Sequence, residues 1–437
     1  MGRDAAVGAG RLGRGTPGLL GGTPILSDHA FRAHWWPAVA SVTRMVGDLA
    51  TAEDAVQEAF LAAVEQWPTQ GAPANPRSWL IGVARHKALD AIRREARRDT
   101  KETAAQRDWA AARPAGPIGP VPDDDVLGLV FMCCHPALEV SVRVALTLRS
   151  VCGLSAAEVA AVFLVPEATM AKRLTRAKRK IRDAGIRLRV PPPDSLTERL
   201  DAVLRVVFLV FTEGHKASTG STLVRESLCD TGVELARALL ALLPDEPEVA
   251  GLVALLLLTD ARRAARVDPA GNLVLLADQD RGLWNRDLIR EGEHLLEGAL
   301  RAGRPGPYQL HAAIAACHST APYAGDTDWR QIALLYAELL RHEPTPVIEA
   351  NRAIAVAMVD GPAAGLAILD RLSDHPQLGH WPQLHIARAD LLRRLGRADE
   401  AVDAYRAALR FELSAAERAF IRRRIVQLSP NADAGRP

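Results

Sequence analysis

The segment from Pro166 to Arg182 alternates apolar and basic positions with the period of an α-helix. Its apolar positions recur every three or four residues, at Met170, Leu174, Ala177 and Ile181. The opposite side is polar and strongly basic, and it consists of Thr169, Lys172, Arg173, Arg176, Arg179 and Lys180. Because the apolar stripe of such a helix packs on a core, the pattern predicts a surface helix with a basic outer face.

A shorter helix is predicted directly before this one. Ser155 and Glu158 have the spacing of a capping box, and Leu154 is placed to cover the first turn. Two helices joined by a tight turn, the second of them basic, are typical of a helix-turn-helix that inserts its second helix into the DNA major groove. A solvated basic face without a nucleic-acid partner is the alternative, because charge runs are common on helices.

Two more amphipathic helices are predicted between residues 51 and 94. The first has Thr51 as its candidate N-cap and a buried stripe formed by Val56, Phe60, Ala63 and Trp67. Its other face is acidic but carries a leucine, and it consists of Asp54, Gln57, Glu58, Leu61 and Glu65. An exposed leucine among acidic residues indicates a protein partner. The second helix turns Leu80, Ala84, Ala88 and Ala91 inward, and its outward positions include His86, Arg93, Arg94 and Arg97.

These segments resemble a known family. AEDAVQEAF followed by WLIGVARHKALDAIRRE is similar to region 2 of the sigma-70 family, extracytoplasmic-function (ECF) type, and GLSAAEVAAVFLVPEATMAKRLTRAKRKI is similar to its region 4. The remaining chain resembles the long C-terminal extension of one ECF group, which ends in tetratricopeptide-like helices. The phrases that carry this second resemblance are FMCCHPALE, ADQDRGLWNRDLI, GPYQLHAAIAACH, GDTDW and NRAIAVA.

The resemblance implies a sigma factor, which brings core RNA polymerase to a promoter and has no enzymatic activity, cofactor or metal. It implies that a surface formed by Asp54, Gln57, Glu58 and Leu61 docks on the clamp helices of the polymerase β′ subunit. It implies that the −10 promoter element is read by His86, Arg93, Arg94 and Arg97. It implies that the −35 element is read by the basic face beginning at Thr169. On that face, base contacts are expected from Thr169 and Lys172 and phosphate contacts from Arg179 and Lys180, while guanine and phosphate both remain open for Arg173 and Arg176.

The expected fold is all-α: two small helical domains, the second a helix-turn-helix, joined by a flexible linker and followed by a large tetratricopeptide-like domain. The expected divisions are a disordered segment 1–27, region 2 at 28–98, a linker at 99–122, region 4 at 123–189 and the extension at 195–430. The prolines Pro191 to Pro193 are expected to end the last helix of region 4.

The extension is predicted to contain helix after helix. Near its end, Ala389, Gly396, Ala401, Tyr405 and Ala408 match positions of a tetratricopeptide unit, and residues 355–369 match a second unit more weakly. A generic helical bundle is the alternative. Stacked hairpins of this kind form concave surfaces, so a protein or peptide partner and a regulatory role are expected for the extension.

Composition restricts the setting. The formal net charge of the 437-residue chain is only +2, so DNA binding must depend on local basic patches. The longest apolar run, GLVALLLL from Gly251, is too short for a bilayer and predicts a buried helix, and a cytoplasmic protein without a membrane partner is expected. The five cysteines include adjacent Cys133 and Cys134, for which buried thiols and a zinc site are the two interpretations.

Charged residues crowd one part of the extension: Arg262, Arg263, Arg266, Asp268, Asp278, Asp280, Arg281, His311, His318, Asp326 and Asp328. Ion pairs that hold helices together and a metal-hydrolase site are the two interpretations of this cluster. Two rival functions follow for the whole chain. One is a helix-turn-helix regulator that is not a sigma factor, and the other is a sigma module fused to an enzyme.

Overall fold

The computed structural model describes residues 28–99, 123–163, 165–215, 226–378, 381–411 and 413–428, and helices dominate throughout. Within these ranges the β-type pairing consists of a single antiparallel bridge between Val267 and Leu273. The predicted all-α fold class is therefore confirmed. The N-terminal segment 1–27 lies outside the described residues, as does the predicted linker 99–122 apart from Asp99, which is the last residue of a helix.

The helices of the described ranges carry the following bounds: α1 Asp28–Val46, α2 Leu49–Gln70, α3 Pro76–Asp99, α4 Asp123–Cys133, α5 Val140–Leu146, α6 Ala156–Val162, α7 Glu167–Asp183, α8 Pro193–His215, α9 Glu226–Leu242, α10 Pro247–Asp260, α11 Arg286–Arg301, α12 Pro307–Ser319, α13 Trp329–His342, α14 Pro346–Val359, α15 Pro362–Leu372, α16 Pro382–Arg394, α17 Ala398–Ala408 and α18 Ala415–Leu428. They form two compact units. The first unit comprises the chain up to Val126 together with Lys178–Leu188, and the second comprises Leu127–Ala177 and the chain from Arg189 onward.

In the first unit, α1, α2 and α3 pack on one another around aromatic side chains. The buried stripe predicted for α2 is confirmed, since its four members are at most 7% exposed. Trp35 of α1 packs on Phe60 with ring centroids 6.0 Å apart. Trp67 meets Trp79 of α3 edge-on, with centroids 5.4 Å apart. The core thus fixes which face of α2 points outward.

The predicted N-cap of α2 is wrong. The helix begins at Leu49, and Asp48 is its N-cap. The Asp48 carboxylate accepts hydrogen bonds from the Thr51 backbone N at 2.9 Å and from Thr51 Oγ1 at 2.8 Å. Both residue types cap helices well, but the aspartate comes first and its charge also suits the positive end of the helix dipole.

The helix-turn-helix lies in α6 and α7. The predicted capping box is confirmed, because Ser155 Oγ accepts from the Glu158 backbone N at 3.1 Å and Glu158 Oε2 accepts from the Ser155 backbone N at 2.7 Å. The stop predicted at the three prolines is wrong: α7 ends at Asp183. Gly185 takes a left-handed φ of 63°, and its N–H bonds to Arg182 O while Ile186 N–H bonds to Ile181 O. This Schellman motif ends the helix, and Pro193 instead begins α8.

The first part of the extension is built around α10. This helix is buried on all sides, from Val249 through Leu258 with Ala250 only partly covered, as predicted for its apolar run. It packs against α9, α11 and α12. Farther along, α16 and α17 pair across a turn at Gly396, whose φ is 75°. The residues matched there to a tetratricopeptide unit, Ala389, Ala401, Tyr405 and Ala408, are buried together in one core cluster.

The first helix of the extension packs on α4 and α5, the helices that precede the helix-turn-helix. Helix α8 contacts α5, and Arg199 Nη2 donates to Phe131 O of α4 at 2.8 Å. Gly128 of α4 lies against the backbone of Arg189, where an added Cβ would meet the Arg189 N at 3.0 Å. The first two contacts join α8 to α5 and α4 inside a single unit, and the third joins α4 to the segment between α7 and α8.

Candidate functional site

The basic face predicted for α7 is present and faces solvent. The buried stripe of this helix is confirmed, since its four members are at most 5% exposed. The six predicted DNA-reading residues are all exposed: Thr169, Lys172, Arg173, Arg176, Arg179 and Lys180. From the first of them to the last, the helix rises by about 16 Å at 1.5 Å per residue. The predicted residues therefore form one continuous surface.

The arginines of this surface are available for a ligand. Among the described residues, none forms a hydrogen bond or ion pair with the guanidinium of Arg173 or Arg176. An exposed guanidinium can donate two parallel hydrogen bonds to a guanine edge or can bind a phosphate group. The surface can therefore supply both base and backbone contacts to a duplex.

The acidic face of α2 is also exposed as predicted. Asp54, Gln57, Glu58 and Leu61 all face solvent, and Leu61 is 58% exposed. Glu58 forms an ion pair with Lys87 of α3 at 3.3 Å, with both side chains about half exposed. A pair of this kind contributes about 0–1 kcal/mol, so a partner can displace it at little cost. An exposed leucine surrounded by acidic side chains is suited to contact with the surface of another protein.

The residues of α3 that are predicted to read the −10 element differ in their hydrogen-bond and ion-pair partners. His86 is exposed, and its Nδ1 lies 2.8 Å from Gly82 O. Arg93 pairs with Asp90 at 3.4 Å, and Arg94 Nε donates to Asp90 O at 3.3 Å. The side chain of Arg97 lies outside the described residues. Asp90 therefore offsets part of the positive charge predicted at this end of the helix.

The inward positions of α3 are confirmed only in part. Leu80, Ala84 and Ala88 are buried, whereas Ala91 is half-buried. The buried stripe of α3 therefore ends before the helix reaches Arg93 and Arg94.

Sequence reasoning missed a buried ion pair in the first unit. Lys178 Nζ of α7 donates to Glu53 Oε2 of α2 at 2.8 Å, and the Glu53 side chain is fully buried. Arg182 lies 3.9 Å from Asp48 beside it. A signal existed: Glu53 precedes Val56 by three and Phe60 by seven residues, so a carboxylate stands on the apolar stripe.

Three of the acidic residues that crowd this part of the extension have local structural roles. Asp268 accepts from the backbone N of Ala270 and Asn272, Asp280 accepts from Gly282 N, and Asp328 caps α13 through Gln331 N. In the described part of the chain, no group of three or more His, Cys, Asp or Glu side chains is arranged to hold a metal ion.

The five cysteines are free thiols, four of them buried. Burial raises the pKa of Cys134 to about 11, and its Sγ lies 3.4 Å from Thr147 Oγ1. The ordinary thiol is thus the favoured form at this site.

Among the helices of the described ranges, none has the length and apolar composition needed to cross a bilayer.

Comparison with protein families matches three segments of the chain. Residues 32–98 match sigma-70 region 2, and residues 129–181 match sigma-70 region 4. Residues 199–300 match a family of unknown function, DUF6596. The first match contains the acidic face of α2 together with α3, and the second contains α6 and nearly all of α7. The two sigma-70 regions identified by resemblance are therefore matched, and part of the extension matches a family of unknown function.

Two of the individual relatives below are named as sigma factors. An uncharacterised protein of Rhizobium meliloti (strain 1021) is 42% identical over 396 residues, which is 90% of this chain and 93% of the relative. A probable ECF RNA polymerase sigma factor, SigI, of Mycobacterium tuberculosis is 32% identical over 37% of this chain and 57% of the relative. A probable RNA polymerase sigma-C factor of Mycobacterium bovis is 33% identical over 30% of this chain and 69% of the relative. No solved structure matches the chain.

Proposed function

Because the chain belongs to the sigma-70 family, as an RNA polymerase sigma factor of the ECF type, we propose that it starts transcription by reading −10 and −35 promoter elements and that its extension regulates this activity. Residues 28–98 and 123–189 are proposed as the two DNA-binding domains, joined by the linker 99–122, and residues 195–430 as the regulatory domain. The observation that carries the proposal is the exposed basic face of α7 on a correctly capped helix-turn-helix.

The first step is binding of core polymerase. The surface of Asp54, Gln57, Glu58 and Leu61 is proposed to dock on the β′ clamp helices. Its support is the combination of exposed acidic side chains with an exposed leucine on a helix whose other face is fully packed. A regulator without polymerase contact has no need of region 2, and the match to region 2 therefore favours a sigma factor over that rival.

The second step is promoter reading. The −35 element is assigned to the six residues of α7, and the −10 element to His86, Arg93, Arg94 and Arg97 of α3. In α7 we place base contacts at Thr169 and Lys172, nearer the N-terminus of the helix, where helix-turn-helix proteins usually meet bases. Arg93 must first release Asp90, so its contribution at the −10 element should depend on salt more weakly than that of an unpaired arginine.

The extension is proposed to set the availability of the DNA-binding domains to polymerase. Support comes from the packing of α8 on α4 and α5, which ties the beginning of the extension to the helices that precede the helix-turn-helix. Paired helices such as α16 and α17 are proposed as tetratricopeptide-like hairpins that bind a protein or peptide partner. An enzyme fused to the sigma module is the rival, and the local roles of Asp268, Asp280 and Asp328 count against it.

Transcription from a matching promoter with purified core polymerase, in the absence of any other sigma factor, tests the proposal. The full chain should direct initiation alone. The double charge reversal Asp54→Lys/Glu58→Lys should weaken core binding while leaving the helical circular dichroism unchanged, because both residues are exposed. If the double variant and the natural chain bind core polymerase with equal affinity, the docking surface does not lie on α2.

The matched control reverses two exposed acids on a different helix. Asp399 and Asp403 have the same spacing of four residues and lie on α17. Asp399→Lys/Asp403→Lys changes the net charge equally but should leave core affinity unchanged. Similar losses in both double variants would indicate a nonspecific charge effect.

The −35 assignment has its own test. Arg173→Ala or Arg176→Ala should weaken binding of a promoter duplex by about 1–3 kcal/mol and relax the preference at one base pair if the arginine is bidentate to guanine. A phosphate contact would instead weaken binding to all sequences evenly and make the salt dependence shallower. Unchanged affinity and unchanged salt dependence in both variants would show that α7 does not carry the contact.

A further inference from the structure

A cavity of about 460 Å³ lies inside the extension. Its walls come from α8, α10, α12 and the segment 273–279, all within the second unit. One side is apolar and includes Phe208, Phe211 and Leu255. The volume lies in the range of small-molecule sites, which are usually apolar with a few polar groups that fix the ligand.

Two arginines supply the charge in this cavity, Arg262 and Arg266. Both are largely buried, and burial lowers the pKa of each to about 10. Arg262 Nε is buried without a hydrogen-bond acceptor. Among the described residues, none supplies a carboxylate that pairs with either guanidinium. The charge of Glu417 opposes the lowering of the Arg266 pKa, and Glu417 Oε2 accepts from Ser414.

The neighbouring Arg263 shows what a structural arginine in this segment looks like. Its Nη2 and Nε donate to both oxygens of Asp260 at 2.8 Å, and its Nη2 also donates to Asp230 at 2.8 Å. These carboxylates raise the pKa of Arg263, against the effect of burial. Carboxylates therefore compensate the charge of Arg263, whereas Arg262 and Arg266 face the cavity.

The remaining polar groups of the cavity carry no negative charge. His215 contacts Arg266, and burial together with that positive charge lowers the pKa of His215 to about 2. Burial lowers the pKa of His311 to about 4. Both rings are neutral at physiological pH and can accept or donate one hydrogen bond. Gln279 Oε1 is buried without a donor, so a ligand N–H or O–H can bind there.

We propose that this cavity binds a small organic anion, whose carboxylate or phosphate group is held by Arg262 and Arg266 and whose apolar body packs on Phe208, Phe211 and Leu255. Buried charge without a partner is strongly unfavourable, so an arginine pair in this state fits a site that an anion completes. Guanidinium groups favour carboxylates and phosphates because they donate two parallel hydrogen bonds. All but one of the residues lining the cavity lie within 199–300, the segment matched to a family of unknown function.

Isothermal titration of the full chain, without polymerase or DNA, tests the site independently of the sigma function. The probes are 2-naphthyl phosphate and 2-naphthoate, which share an apolar body and distinguish the two head groups. The neutral control is 2-naphthamide, and inorganic phosphate is the control without an apolar body. We expect at least one naphthyl anion to bind about 10- to 100-fold more tightly than the amide, the range of a charged hydrogen bond. Inorganic phosphate should bind more weakly than that anion.

The variant Arg262→Met distinguishes a ligand site from a structural role. It should weaken binding of the anion at least about tenfold. Without ligand, its unfolding temperature should equal or exceed that of the natural chain, because a buried unpaired charge has been removed. Arg290→Met is the matched control, since Arg290 is exposed on α11 and pairs only with its neighbour Asp287 among the described residues.

Three results would overturn the proposal. One is the absence of binding by both naphthyl anions, and another is equal binding of the anion and the amide. The third is a fall in the unfolding temperature of unliganded Arg262→Met with unchanged anion affinity, which would assign the arginine to the structure of the extension. Arg266→Met, measured in the same way, provides the second variant and should lose anion affinity to a similar extent.

Discussion

Lys178→Met should release the end of α7 from α2, because it takes away the ammonium group that bonds to the buried Glu53 carboxylate. The two charges are 2.8 Å apart, and the Lys178 side chain is 16% exposed while that of Glu53 is fully buried. At an effective dielectric constant of 20 their attraction is about 6 kcal/mol. Removal of one partner from such a buried pair costs about 3–5 kcal/mol after the remaining charge relaxes.

Hydrogen–deuterium exchange of the full chain measures this loss at the two helices directly. A change of that size should speed exchange of the backbone amides near Lys178 and Glu53 by a factor on the order of 10²–10³. A global unfolding curve would not assign the loss to these two helices, because a chain with several domains need not unfold in one step. Amides of α10, in the second unit, provide the internal reference.

Two variants sharpen the test. Lys172→Met removes an exposed lysine from the same helix and should leave exchange unchanged. Glu53→Gln/Lys178→Met removes both charges and should restore most of the protection lost in the single variant, since a neutral pair leaves no buried charge behind. If Lys178→Met exchanges at the natural rate, the ion pair does not hold α7 to α2, and this reasoning is wrong.

The other predictions concern pH and backbone conformation. Burial lowers the pKa of His311 to about 4, so the neutral ring stabilises the fold above pH 6.5. As the pH falls from 6.5 to 4, about 3 kcal/mol of stability should be lost. His311→Phe should flatten that part of a profile of melting temperature against pH. Gly185→Ala should cost about 1 kcal/mol because φ is 63° and only strain opposes the methyl group. Gly298→Ala, inside α11 with open space around its Cβ, should instead stabilise by about 0.5–1 kcal/mol, and thermal unfolding of both variants checks the opposite signs.

Local patterns were readable from the sequence because their causes are local. The four-residue stripe of α7 depends only on helix periodicity, and Ser155 with Glu158 depends only on a spacing of three. The cap of α2 was misassigned because Asp48 and Thr51 are both good capping residues within one turn, and their order of preference is set by where the preceding helix stops. Gly47, with its φ of 74°, makes that stop.

Contacts between distant residues were not readable. The partners Glu53 and Lys178 are 125 positions apart, and only the folded chain brings them together. Arg262, Arg263 and Arg266 show the same limit. Ion pairs are one interpretation of all three from the sequence, but among the described residues carboxylates bond to Arg263, whereas Arg262 and Arg266 line a cavity. Which acid meets which base depends on tertiary packing.

The docking of α8 on α4 and α5 has a consequence for how this chain can evolve and be divided. A helical domain of about 60 residues buries only some 60% of its surface and is marginal alone, so a helix added to its core raises its stability appreciably. Arg199, which donates to Phe131 O of α4, belongs to that added helix, and the helix begins at the prolines where a domain boundary would be drawn from the sequence. A chain cut at Pro193 would therefore lose the helix that packs on α5 of the domain proposed to read the −35 element. Substitutions that weaken α8 should lower promoter binding even though they lie outside every residue proposed to contact DNA, and loss of the extension in evolution would require a new cover for α5.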